Sequence, residues 1–143
     1  MKRTPECDTF GGTEDVEMID QVADLIFDAG KEGDADFING LAATLYANSV
    51  SKGFWEEDRS DGESIVLMHS ELSEALEALR DQRGDKRIPS KKIEGFSLLE
   101  EEMADLMIRV LDYAGRNSLD VGGALIHKAR YNRSRPHKHG KAF

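Results

Sequence analysis

The sequence predicts an all-α protein, and three observations predict it. Apolar residues recur at helical intervals in several separate runs. No run alternates with the two-residue period of a half-buried strand, and no hairpin turn joins two candidate strands. Capping patterns, finally, fall where the helical runs begin and end.

Residues 1–14, with Pro5, Gly11 and Gly12, form a loose lead-in. Residues 15–27 carry Val16, Ile19, Val22, Ala23, Ile26 and Phe27 at helical spacing and stop at Gly30. KEGDAD, at 31–36, reads as a polar turn. The stripe resumes over 37–48 through Ile38, Leu41, Ala42, Leu45 and Tyr46, so 15–48 is a helical pair or one kinked helix. A broken stretch with Phe54 and Trp55 follows. Ser64 is placed to cap a helix over 65–80, whose apolar face is Met68, Leu72, Ala75, Leu76 and Leu79. Residues 81–96 are a charged connector with Gly84, Pro89 and Gly95. Ser97 with Glu100 makes a capping box for a helix over 98–114, ended by Gly115 and Asn117. A last helix spans 120–132, although Gly122 and Gly123 weaken its first turn.

The helix over 98–114 has an unusually wide apolar arc, made by Leu99, Met103, Leu106, Met107, Val110, Leu111 and Ala114. That width fits either a central helix or a helical dimer. Glu102 falls inside the arc and Asp105 at its edge. An acid in such a place has to be paired, hydrated or bound to a metal.

At 143 residues the chain is one ordinary domain in length, and 39% hydrophobic with 33% charged residues describes a globular protein. No stretch approaches the roughly 20 apolar residues that cross a bilayer, and nothing apolar follows Lys2 and Arg3 as a secretory signal would require. Cys7 is the one cysteine, which suits a reducing compartment and a cytoplasmic location. A net charge of −9 repels a nucleic-acid backbone. Basic residues nevertheless concentrate from His127 onward. An acidic body with a basic end suits a small ligand carrying both metal and phosphate, and suits neither a duplex nor a membrane.

The chemistry is concentrated in two acidic steps. Glu71 and Glu74 lie three residues apart in one helical run, and Glu102 and Asp105 in another. Residues i and i+3 share a side of a helix. Two such helices in contact bring four carboxylates together, a donor set suited to Mg²⁺ or Mn²⁺. Glu77 and Glu101 turn away from these sides. Arg109 is placed to orient a carboxylate, and Asp112 to support one from behind. Two ExxE-type steps are also common on solvated helix surfaces; it is their position beside apolar faces on tandem helices that singles them out.

ExxE, an intervening segment and then ExxD resembles the MazG-like, all-α nucleoside triphosphate pyrophosphatase superfamily. KGFWEED at 52–58, LMHSELSEALEALR at 67–80, EEMADLMIRVLDYAGR at 101–116 and KARYNRSRPHKHGKAF at 128–143 extend the resemblance over residues 37–143. Residues 1–36 would then be an extension, helical from about 15. The resemblance implies a four-helix bundle that assembles as a homodimer or a dimer of dimers. It also implies Mg²⁺-dependent cleavage of a (deoxy)nucleoside triphosphate, canonical base or not, at the α–β linkage, giving a monophosphate and pyrophosphate. Glu71, Glu74, Glu102 and Asp105 become metal ligands and catalytic residues, with Glu74 the choice for activating water.

Around the acids, Asn48 and Lys52 are candidates for nucleotide contact, and Trp55 for stacking on a base with Phe54 beside it. His69 is a further polar neighbour, and Lys91 or Lys92 can attract phosphate. Lys128, Tyr131, Asn132 and Arg135 recur at about one helical turn and form the best phosphate- or sugar-binding set before Pro136. His137 and His139 lack the further ligands a zinc site needs. Two other classes fit the same residues. One is a catalytically silent nucleotide-binding module, and the other a helical protein-interaction module.

Overall fold

Helices account for most of residues 32–81 and 87–136, the part of the chain that a computed structural model describes. In order they are α1 (Glu32–Ser51), α2 (Asp61–Asp81), α3 (Leu98–Arg116) and α4 (Val121–Arg133). Among the described residues the sole β feature is an isolated antiparallel bridge between Pro89 and Ser97. The described residues are therefore all-α, in four helices. The helix expected over 15–27 lies outside the described residues.

The ends of the helices differ from expectation in two places, each for a local reason. From Glu32 on, the KEGDAD segment is helix rather than turn, and the expected boundary at 36/37 falls inside α1. Asp34 and Asp36 sit in its first turns, where the positive end of the helix dipole favours acids. α2 is capped by Ser60 rather than Ser64. Ser60 N–H donates to Glu63 Oε2 at 2.8 Å, and Glu63 N–H donates back to Ser60 Oγ at 3.2 Å. This reciprocal box satisfies two N-terminal donors. Ser64 lies one turn further in, buried, with no hydrogen-bond partner for its hydroxyl among the described residues.

The capping box expected at α3 is present. Ser97 N–H donates to Glu100 Oε2 at 2.7 Å, and Glu100 N–H to Ser97 Oγ at 3.2 Å. Asn117 closes the other end. At α4, Asp120 accepts from Gly123 N–H at 2.8 Å and from Asn39 Nδ2 at 2.7 Å. Asn39 Oδ1 in turn accepts Gly122 N–H at 2.9 Å, so one α1 side chain ties down the first turn of α4. The glycine that weakens this turn is required by the packing, because a Cβ on Gly122 would lie 2.4 Å from Ala35 O.

α3 is the centre of the fold and packs against α1 on one side and α2 on the other; α4 packs against α1. Gly115 lies against Ala42 and Tyr46, while Asn39 reaches Asp120, so α1 and α3 run antiparallel. Small residues permit that approach, with Ala42, Leu111 and Ala114 forming a core against which Ile38, Leu45 and Val121 pack. The apolar faces read from sequence are only partly covered. α2 buries Ala75 and Ala78, but Leu72 and Leu76 remain about half exposed, and Met103 and Met107 of the wide arc stay open as well. No large side chain among the described residues is fully buried. No helix among them is long and apolar enough to cross a membrane.

Candidate metal centre

The periodicity of α2 puts Glu71 and Glu74 on neighbouring positions of one side, and that of α3 does the same for Glu102 and Asp105. Antiparallel packing then sets their register. Glu71 meets Arg109, and Glu74, one turn later on α2, meets Glu102, two turns earlier on α3. Glu71, Glu74 and Glu102 each offer a carboxylate oxygen, and the three oxygens lie within 4.8 Å of one another. This cluster can hold a divalent metal ion.

The three acids differ in their surroundings. Glu71 is buried and accepts a hydrogen bond from Arg109 Nε, an ion pair that neutralises its charge and aims it. Glu74 is exposed. Glu102 is 6% exposed, and its Oε2 has no hydrogen-bond partner among the described residues. Burial, followed by the nearby charge of Glu74, holds its carboxyl above the usual glutamate range. A buried carboxylate oxygen without a donor is costly. A hard cation at the cluster would remove that cost, which makes the donor set fit one.

Asp105, the fourth expected ligand, stands outside the three-carboxylate cluster. It lines an adjoining recess of about 270 Å³ together with Glu71, Arg109 and Asp112. Ser49, Phe54, Arg59 and Ile108 complete the walls. This volume is just below the usual range for small-molecule sites.

The aromatic pair divides its work. Trp55 Nε1–H donates to both carboxylate oxygens of Asp112, at 3.0 and 3.2 Å. Its ring has the guanidinium of Arg116 at 4.1 Å and that of Arg59 at 5.1 Å from its centroid, with Tyr46 packed edge-on. Phe54 is 64% exposed on the wall of the recess. Its turn depends on Gly53, whose φ of +80° belongs to the left-handed region. Asn48 and Lys52 are exposed around the end of α1, and Ser49 rather than Asn48 lines the recess.

The C-terminal set is grouped locally but not brought to the acids by its helix, since α4 packs chiefly on α1. Lys128 Nζ lies 4.8 Å and the Arg135 guanidinium 5.8 Å from the Tyr131 ring centroid. Asn132 is exposed on the same helix. His137 and His139 fall outside the described residues.

The chain matches no family model, no curated protein and no solved structure.

Glu101 stands outside the three-carboxylate cluster, but the side it turns to is covered, and it is one of the most buried acidic sites described, 4% exposed. Ser90 Oγ donates to its Oε2, and Lys92 Nζ lies 2.6 Å from Oε1. The Lys92 ammonium, then the Ser90 hydroxyl, hold its carboxyl below the usual range despite burial. Its partners come from the connector, so helical periodicity carries no signal for it. Glu77, by contrast, is exposed as expected and pairs with Arg80 at 3.6 Å.

Proposed function

We propose that this protein hydrolyses (deoxy)nucleoside triphosphates at the α–β linkage, releasing a monophosphate and pyrophosphate, with Mg²⁺ or Mn²⁺ at the glutamate cluster. The observation that carries the reading is the orphaned, buried oxygen of Glu102 facing two further carboxylates. The resemblance of the ExxE and ExxD steps to MazG-like pyrophosphatases supplies the reaction class. A divalent cation bound there would neutralise triphosphate charge and stabilise the charge that develops during phosphoryl transfer.

The chain's own residues have distinct parts in this scheme. Arg109 fixes Glu71 so that it presents a carboxylate of defined orientation. Glu102, dry and low in polar competition, binds cations more strongly than a solvated acid does. Glu74 is the exposed member of the cluster and can accept a proton from an attacking water. Asp105 extends the acidic edge into the recess, where Phe54 offers an open ring for a base.

We further propose that the protein acts as a homodimer or dimer of dimers. Leu72, Leu76, Met103 and Met107 support this, because α2 and α3 leave them uncovered. Light scattering on the purified chain tests the assembly.

The test of the activity is pyrophosphate release from a panel of canonical and modified nucleoside triphosphates, with and without Mg²⁺. Wild type is run beside Glu71→Gln and Glu102→Gln. Metal-dependent turnover that both substitutions abolish is the expected result. A folded wild type that binds the nucleotides yet leaves the whole panel intact would instead identify a silent nucleotide-binding module.

A further inference from the structure

The connector before α3 folds into a small clip that carries a lysine to the edge of the carboxylate cluster. Ser90 N–H donates to Phe96 O and Leu98 N–H to Ile88 O, both at 2.8 Å, closing the clip around Gly95 at φ +89°. Within it, Ser90 Oγ accepts Lys92 N–H at 3.0 Å and Ile93 N–H at 2.9 Å while donating to Glu101. Glu101 is thereby fixed, and its second oxygen holds the Lys92 ammonium. The same ammonium lies within electrostatic reach of Glu102 and Asp105.

Stability does not account for this arrangement. An ion pair with one exposed partner contributes little, and burying a carboxylate to make it costs more than an apolar side chain would. The lysine side chain is 70% exposed. Glu101 is the one acidic side chain that pairs with this ammonium among the described residues, and an ammonium has three donors. Lys92 and Lys91 share with Glu101 and Glu102 the walls of a recess of about 400 Å³, bounded on its apolar side by Ile88, Pro89 and Leu98. Glu102 thus faces a lysine-bearing recess, while Glu71 faces the one that holds Phe54.

We propose that the clip recess is a subsite for the pyrophosphate end of the ligand, with Lys92 binding its phosphate oxygens and Glu101 acting as the residue that positions Lys92. The inference rests on the reading of the glutamates as a metal centre for a triphosphate. It also orients the ligand: the nucleoside lies toward Phe54, and the β- and γ-phosphates lie toward the clip. Phosphate brings acceptors to the lysine donors, and its charge meets the cation on one side and the ammonium on the other.

The test is calorimetric titration of inorganic pyrophosphate into Mn²⁺-saturated protein, compared with titration of Mn²⁺ alone. Lys92→Gln is expected to weaken pyrophosphate binding about tenfold or more, the scale of one charge-assisted hydrogen bond. Its Mn²⁺ affinity should stay within about twofold of wild type, because Lys92 is no ligand of the cation. Lys92→Arg should restore much of the loss. Glu101→Gln keeps the ammonium but frees it, and should weaken pyrophosphate binding by a smaller factor with the same Mn²⁺ affinity.

Equal pyrophosphate affinity in wild type and Lys92→Gln would overturn the proposal. So would a parallel loss of Mn²⁺ binding, which is what a purely structural clip predicts, or a wild type that binds no pyrophosphate. Lys92-dependent pyrophosphate binding without turnover of any nucleoside triphosphate would leave the subsite standing and remove the catalytic reading alone.

Discussion

Glu102→Gln separates a metal centre from an accidental meeting of acids, because only a metal centre makes the stability difference between variant and wild type depend on Mn²⁺. Without a cation, wild-type Glu102 holds a 6% exposed carboxylate whose Oε2 has no partner. A buried unsatisfied polar group costs about 1–3 kcal/mol, and more when charged. The amide has nearly the same volume, carries no charge and can donate to Glu74. In excess chelator the variant should therefore be more stable than wild type by about 1–3 kcal/mol. For a chain of this size that is a rise in Tm of about 3–12 °C. Saturating Mn²⁺ should shift that difference toward wild type by about 1.4–2.7 kcal/mol. A cation at 100 times its Kd stabilises wild type by about 2.7 kcal/mol, while the variant, with one ligand weakened, gains less than about half of that.

The assay is thermal unfolding of both proteins in chelator and in Mn²⁺, across a range of pH. Burial, then the Glu74 charge, raises the carboxyl of Glu102. A group whose folded value is raised contributes stability that is complete below its unfolded value and is lost as pH rises through the folded one. Acidification from neutral should thus close the gap between wild type and variant in chelator, over the range just above the ordinary glutamate value. In the same window the metal-induced shift of wild type should shrink, because protons compete with the cation. A variant less stable than wild type in chelator, or equal Mn²⁺ shifts in both proteins, would refute the reasoning.

Arg109→Met removes the cation paired with Glu71 and leaves a buried carboxylate alone. Urea unfolding in chelator should show a loss of about 2–4 kcal/mol, toward the low side for a buried pair because the guanidinium is 39% exposed. Adding Glu71→Gln should recover most of it, which a double-mutant cycle measures. Gly115→Ala places a Cβ 2.4 Å from Ala42 O and 2.8 Å from Tyr46 Cβ, atoms that can move only if α1 and α3 separate. Thermal unfolding should register a loss on the order of 1–3 kcal/mol, the range for overpacked interfaces. Ser97→Ala breaks the capping box of α3 and should cost about 1 kcal/mol by the same method.

What could be read from the sequence alone was what depends on short-range periodicity and local hydrogen bonding. The all-α class, the stripes of α1 and α2, and the capping box of Ser97 with Glu100 all involve residues within a turn or two of one another. The i, i+3 spacing likewise placed Glu71 beside Glu74, and the position of Glu102 within an apolar arc marked it as an acid in need of a partner. Ser60 with Glu63 was equally legible, as the same S-x-x-E pattern, but Ser64 lay nearer the apolar run.

The tertiary structure decided everything that turns on which surfaces meet. Arg109 reaches Glu71 across 38 positions of sequence, and Trp55 reaches Asp112 across 57, because antiparallel packing against α3 brings them together. Glu101 is buried because the connector folds over the start of α3, an event no helical wheel contains. Phe54 and Trp55 are neighbours of similar chemistry, and only the turn at Gly53 determines which faces the recess and which anchors to α3. Periodicity assigns a side chain to a face of its own helix; what that face touches is set by helix order and register, where burial and charge pairing outweigh local preference.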